Sequence, residues 1–264
     1  MTRRLIVLLP PSQAKGSGGS RNTKVGTFDA TLELARRQVV MALGALVESG
    51  RPKVIEKTLQ VQGPLLERAI ESTRALVEQR AHWLPAWRRY TGVVWVHLDP
   101  SSLTPTQRRR ILIPSALYGV TTAQDYVSDY RLKMNVRLVP LGGLAKFWRA
   151  WLTPVLADYL HDTLVINLLP KEHGAAIDVK ALSVVCHVVN VSFVNEGEGA
   201  LVGHDAKAVK GVLARQILKN GFGAIETFEW EGWRTQRDEE VEVSPSQPTG
   251  TSEYVIAYGG ASSS

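Results

Sequence analysis

Two short apolar runs constrain this chain most: Leu5-Ile6-Val7-Leu8-Leu9, which is unbroken, and Leu164-Val165-Ile166-Asn167-Leu168, interrupted only by Asn167. A strand with one wet face alternates apolar and polar residues, whereas a strand covered on both faces reads as a continuous apolar run. Both segments are therefore predicted to be buried strands, the second of them central in its sheet. Residues 183–194, rich in β-branched valine, read as a longer strand, residues 254–258 as a last one, and Val93-Val94-Trp95-Val96 as another. Tyr130-Arg131-Leu132-Lys133 alternates, and reads as an edge strand with Arg131 and Lys133 on its wet side.

Helical periodicity fills the intervals. Leu32, Ala35, Val39, Leu43 and Leu46 recur at helical spacing after Asp29, which is expected to cap that helix, and Gly50-Arg51-Pro52 should end it. A second amphipathic helix is predicted from Pro64, carrying Leu66, Ile70, Thr73 and Val77. Thr104-Pro105 opens a short basic helix as N-cap and first helical residue. Residues 144–161 form a helix with Phe147, Trp148, Trp151, Leu152, Val155 and Tyr159 on one broad face, and His204–Asn220 is closed by Asn220-Gly221. Strands and helices are mixed without strict alternation, so the expected fold is one mixed α/β domain over residues 1–258, with a disordered tail at 259–264. At roughly 150 residues per domain, a chain of 264 residues allows this as one large unit.

One cysteine, Cys186, rules out an intrachain disulfide and a Cys-rich zinc site, and fits a reducing, cytoplasmic setting. Arg3-Arg4 before the first apolar run imitates a signal peptide, but Pro10-Pro11 stops the run short of the roughly 7–15 residues required. No stretch approaches the ~20 apolar residues of a spanning helix. Charge is unevenly distributed: the first 225 residues hold 29 bases and 17 acids, a net of +12, while the rest is acidic. Such an excess attracts polyanions.

Several constellations could carry chemistry. Ser12-Gln13-Ala14-Lys15, just after the first strand, spells the Ser-x-x-Lys of some nucleophilic hydrolases, although their companion motifs are missing; Lys15 also suits a phosphate or carboxylate ligand at a strand end. The following Gly16-Ser17-Gly18-Gly19-Ser20 lacks the Gly-Lys-Ser/Thr ending of a phosphate-binding loop and reads as a flexible loop. Arg108-Arg109-Arg110 would fan over about 200° of a helix, so one partner could not meet all three. The sequel Ser115-Ala116-Leu117-Tyr118-Gly119-Val120 sets a glycine between two segments, the plan of a helix-hairpin-helix element whose turn amides could hold a DNA phosphate. On the helix His204–Asn220, Lys207, Lys210, Arg215 and Lys219 flank Gly211 opposite an apolar face of Val209, Val212, Leu213 and Ile217. That stripe suits a rod-like polyanion, or is an ordinary solvated face. His187 reads as a core histidine pointing away from Cys186; Asp238-Glu239-Glu240 reads as a solvated turn; no metal or cofactor motif emerges.

The order of these strings resembles the YaaA peroxide-stress protein family. The resemblance rests on residues 5–15, Ser115 to Val120, Tyr130-Arg131-Leu132-Lys133-Met134, Phe147-Trp148, Val165-Ile166-Asn167-Leu168, Ala206-Lys207 with Gly211 and Arg215, and Phe228 with Gly232-Trp233. It implies a protein that limits oxidative damage and binds duplex and branched DNA through a basic cleft and a helix-hairpin-helix element. Carried over by motif, Lys15, Ser115, Tyr118, Gly119, Arg131, Lys207 and Arg215 would surround that cleft, with Arg108, Arg109 and Lys210 adding phosphate contacts. The chain departs from the family at Gly92-Val93-Val94-Trp95, Pro170-Lys171-Glu172-His173 and Lys133, losing two polar groups and reversing one charge.

Two functions therefore stand beside a bland third, a scaffold whose cations only solubilise it. One is sequence-independent DNA binding in a basic groove. The other is an enzyme for a small anionic or nucleotide-like substrate, with Lys15, Arg131 and Lys207 as clamp and Ser12, Ser115 or Glu172 doing the chemistry. Cations spread along an open groove favour the first; convergence on a closed pocket favours the second.

Overall fold

A computed structural model describes residues 3–195, 199–200, 204–236 and 248–259. Its main sheet is built from β1 (Arg4–Leu8), β2 (Ile111–Ser115), β3 (Gly119–Thr122), β4 (Thr163–Asn167), β5 (His187–Asn195), β6 (Glu229–Trp230), β7 (Trp233–Gln236) and β8 (Gly250–Tyr258). The order across it is β6-β7-β8-β5-β4-β1-β2-β3. The strands from β8 through β2 run parallel, and the two flanks are antiparallel. β4 is the middle strand of the parallel block and β1 lies beside it, with Leu8 opposite both Asn167 and Leu112. Ile6, Val7 and Leu8 are fully buried, as their unbroken apolar run requires.

The helices are α1 (Asp29–Glu48), α2 (Pro52–Leu59), α3 (Pro64–Val77), α4 (Val93–Leu98), α5 (Pro105–Arg109), α6 (Leu144–Tyr159) and α7 (His204–Asn220), with several single turns between them. In α5, Thr104 accepts the Gln107 amide while the Gln107 side chain accepts the Thr104 amide, a reciprocal cap around the expected Pro105. In α6, Leu144, Trp148, Leu152 and Leu156 form the buried stripe, with Phe147, Trp151, Val155 and Tyr159 packed partly buried beside it. Asp29 does not cap α1 but begins it, accepting from the Gly26 amide and pairing with Arg36.

Three further expectations need correction. Residues 93–96 are helical: Val94, Trp95 and Leu98 are buried while Val96 is exposed, a helical stripe and not an alternation. The segment after α5 is a β-hairpin of β2 and β3, with Ser115 and Gly119 paired across it, so no helix-hairpin-helix forms there. Residues 130–133 are irregular, and Arg131 is buried rather than solvated. α1 ends at Glu48, just before Gly50-Arg51-Pro52 as expected, and Pro52 also opens α2, which lies in a stretch without predicted structure. The acidic run 238–240 and the tail 260–264 lie outside the described residues.

The α4–α7 pairing explains Gly211. A Cβ there would stand 2.4 Å from the Val94 carbonyl oxygen and 2.7 Å from the Leu98 nitrogen. Alanine gains about 1 kcal/mol of helix propensity over glycine, but both obstructing atoms are backbone, so the helices must part. Gly211→Ala is expected to lose on the order of 1–3 kcal/mol of stability by urea denaturation. An unchanged midpoint would show that the two helices slide freely.

Candidate functional site

In parallel sheets, functional groups gather beyond the carboxyl ends of the strands. Here the chain leaves β1 and runs through Ser12 to Lys15, while β2 delivers Ser115 at the same edge. The Gly-rich segment that follows Lys15 is laced to residues 83–91. The Gly16 amide donates to the Arg89 carbonyl at 2.8 Å, the Thr91 amide to Ala14 at 3.2 Å, and Ser20 bridges Trp83. Gly19 has φ +120°, and a Cβ there would fall 2.5 Å from the Trp83 carbonyl oxygen, so this tight apposition needs glycine. The segment is an anchored loop, contrary to the flexible loop expected.

Arg89 is the staple. It is fully buried, and its guanidinium donates to the carbonyls of Gly16, Gly18 (3.1 Å), His82 (2.9 Å) and Val127 (3.4 Å). Only a planar fork with five donors can gather so many carbonyls from three segments.

Beneath the loop lies a buried polar cluster. The Lys15 ammonium donates to the Ser12 carbonyl at 2.8 Å and sits 4.2 Å from the centre of the Tyr130 ring. Hydroxyls then run in a chain, with Tyr90 to Tyr130 at 2.9 Å and Tyr130 to Ser115 at 2.9 Å. Ser115 also accepts from the Tyr118 amide, and the Tyr118 hydroxyl meets Ser128 at 2.7 Å. Asp129 supplies the carboxylate, accepting from Arg131 at 2.5 Å through one oxygen and from Arg68 at 2.6 Å through the other. Burial, reinforced by Arg131, brings the Lys15 amine down to about 7; Asp129 opposes this, and Arg68 and Arg89 add to it. Burial also raises Tyr90 and Tyr130 above the usual phenol range.

Arg68, Arg89 and Asp129 reach from this cluster to a cleft of about 520 Å³, whose wall also carries Arg21, Arg80 and Glu71. Arg68 donates to the Lys15 carbonyl at 3.2 Å, so cleft and cluster share a wall.

The residues expected to line one cleft thus divide. Lys15, Ser115, Tyr118 and Arg131 are brought together, but buried. Gly119, at φ +71°, makes room for Trp148, which a Cβ would meet at 2.5 Å; it is a packing glycine and presents no phosphate site. Arg108 donates to the Pro100 carbonyl and lies over the Trp87 ring, while Arg109 is exposed. On α7, Lys207 is exposed, Arg215 lies 4.0 Å from Asp99, and Lys210 stands over the Phe193 ring. Burial beside Lys207 brings Lys210 down to about 8. Ser12 does not form a dyad with Lys15: the lysine meets its carbonyl, and the hydroxyl is buried without a hydrogen-bond partner. Glu172 and His173 lie beyond β4, near Lys210, and burial lowers the imidazole. Arg68, Arg89, Tyr90, Ser128 and Asp129 belong to the cluster and were not among the expected residues. His187 is buried and its ring meets Ser252 at 2.6 Å. Among the described residues no three His, Cys, Asp or Glu side chains gather as a metal would require, and no helix is long and apolar enough to cross a membrane.

Residues 5–239 match the family model described as peroxide stress protein YaaA. A UPF0246 protein of Streptomyces coelicolor is 33% identical over 224 residues, covering 82% of this chain and 84% of its own. UPF0246 proteins of Corynebacterium efficiens (30% over 227 residues) and Corynebacterium glutamicum (32% over 221) each match 81% of this chain and 84% of their own.

Proposed function

This chain belongs to the YaaA family of peroxide stress proteins, and from that premise we propose that it binds duplex and branched DNA through backbone contacts, limiting oxidative damage to it. The observation that carries the reading is the cleft wall, where the exposed Arg21 stands beside Arg68 and Arg80, with Glu71 and Asp129 as the wall's two carboxylates and the buried Arg89 holding the loop in place. The +12 excess over the first 225 residues supports it, since a field of that sign raises the encounter rate with polyanions. Arginine forks hold phosphate without reading bases, so affinity should be independent of sequence and steep in salt.

The first measurement is a titration of labelled duplex and four-way junction at two salt concentrations. Binding to both should weaken with salt. Arg21→Glu, at an exposed position on the cleft wall, should weaken both substrates alike and lower the salt slope by about 1 or more. No binding at low salt, or affinity indifferent to salt and to Arg21, sinks the reading.

A second reading, a site for a small anionic substrate, is favoured by one specific observation. Lys15 and Arg131 converge in an enclosed place that a DNA backbone does not reach.

A further inference from the structure

The Lys15 cluster contains more positive charge than its surroundings balance. Lys15, Arg131, Arg68 and Arg89 converge on a single carboxylate, Asp129, and both Asp129 oxygens are already taken by Arg131 and Arg68. A buried cation without a counter-charge is costly, and the cost is relieved when a lysine gives up its proton or when an anion enters. Two further groups lack partners: the Arg131 Nε and the Ser12 hydroxyl are both buried with no hydrogen bond. Lys15, Arg131 and Ser12 are each more than nine-tenths buried.

We propose that Lys15 is a nucleophilic amine that forms an imine with a small carbonyl compound bearing a carboxylate or phosphate, the anion being held by Arg131. This proposal rests on the small-anion reading and not on the DNA one, although the cluster and the cleft share Arg68, Arg89 and Asp129.

The chemistry needs only what the cluster and the ligand supply. The neutral Nζ lone pair attacks the carbonyl carbon as the C=O π pair moves to oxygen, giving a carbinolamine. That oxygen leaves as water with the two hydrogens of the original amine, and the C=N bond forms; no oxidant or reductant is consumed. The hydroxyl chain from Tyr90 through Tyr130 to Ser115 supplies groups able to pass a proton beside the amine. Lysines are activated in this way by desolvation and by a neighbouring cation, and Lys15 has both. At neutral pH an ordinary lysine is neutral in roughly one molecule in three thousand, against about half for Lys15.

The test uses the full chain at neutral pH with glyoxylate and sodium cyanoborohydride, which reduces an imine to a stable secondary amine. Peptide mapping compares the labelling rate at Lys15 with that at the exposed Lys24 and Lys53 in the same sample. Lys15 should be labelled roughly tenfold faster or more, the gain in neutral amine being offset in part by lower basicity. With acetaldehyde, which has no anion, the ratio of Lys15 to Lys24 should fall severalfold. Lys15→Met should lose the fast adduct alone. Labelling confined to exposed lysines overturns the proposal. So does an equal ratio for glyoxylate and acetaldehyde, because then Arg131 holds no anion. Because the wild-type map carries the result, a variant that failed to fold would not decide it.

Discussion

Lys15→Met is expected to remove a rise in stability with pH that the wild-type protein shows above about pH 7. Folded, Lys15 releases its proton near 7, because burial and Arg131 outweigh Asp129; unfolded, it holds the proton to its ordinary value of 10.5. Between those two values the unfolded chain binds one more proton, so raising the pH favours the folded state, by up to about 1.4 kcal/mol per unit. Below 7 Lys15 is charged in both states and its contribution vanishes, while Lys210, brought down to about 8 by burial and Lys207, keeps a second slope of the same sign in both proteins above that pH. Above about 10 the phenols turn the curve over: burial raises Tyr90 and Tyr130, so the unfolded chain ionises first and stability falls in both proteins. Urea denaturation between about pH 7 and pH 9 should therefore give a sloping midpoint for the wild type and a flatter one for Lys15→Met. The variant also leaves the Ser12 carbonyl without its donor, but that loss is independent of pH, so the slope is the readout. Parallel curves would mean that Lys15 stays charged when folded, held there by Asp129.

The elements most legible in the sequence are those whose surroundings are uniform. β1 and β4 are covered on both faces, so their interiors, Leu5–Leu8 and Leu164–Ile166, are wholly apolar, and both strands lie within a residue or two of their expected limits. The helix α5 was legible through chemistry confined to its first residues, Thr104 as cap and Pro105 at the first helical position; the Gln107 half of the cap came from the structure. The misread elements depend on partners far along the chain. Val93–Leu98 has the β-branched composition of a strand, yet α7 packs closely against it because Gly211 has no side chain, and propensity yields to that contact. Gly119 looked like a turn glycine exposed to a phosphate; its neighbour is Trp148, on a helix that periodicity alone cannot place against it.

The site divides along the same line. Lys15, Ser115, Tyr118 and Arg131 came through the family resemblance, and the structure gathers them, but as a buried cluster and not as the lining of an open groove. Arg68, Arg89 and Asp129 carry no local signature. Arg68 sits on an amphipathic helix 61 residues from the carboxylate it pairs with, and Arg89 lies 73 residues from the Gly16 carbonyl it binds. The stripe on α7 was legible as a row of cations, but the glycine in it serves helix packing, which a helical wheel does not reveal.

Arg89→Met should be among the most damaging single changes to this fold. The methionine can occupy much of the same volume, yet it donates nothing, and the carbonyls of Gly16, Gly18, His82 and Val127 lose their shared partner. Leaving a buried acceptor unsatisfied costs roughly 1–3 kcal/mol. The four costs do not add, because the loop can loosen and admit water, so a total loss of about 3–5 kcal/mol is expected, close to that for breaking a buried charged network. Arg89→Lys should recover part of this: the charge is kept, but three donors on one flexible stem cannot span carbonyls from three segments. Arg80→Met is the control on the same cleft; Arg80 pairs with the exposed Glu71 and Glu78, and its loss should hardly move the midpoint. Urea denaturation of the three variants separates a structural arginine from a surface one. A loss below about 1 kcal/mol for Arg89→Met would mean that water replaces the guanidinium without strain. The loop would then owe its place to Gly19 and the Ser20–Trp83 bridge, and Arg89 would be free to serve a ligand in the cleft.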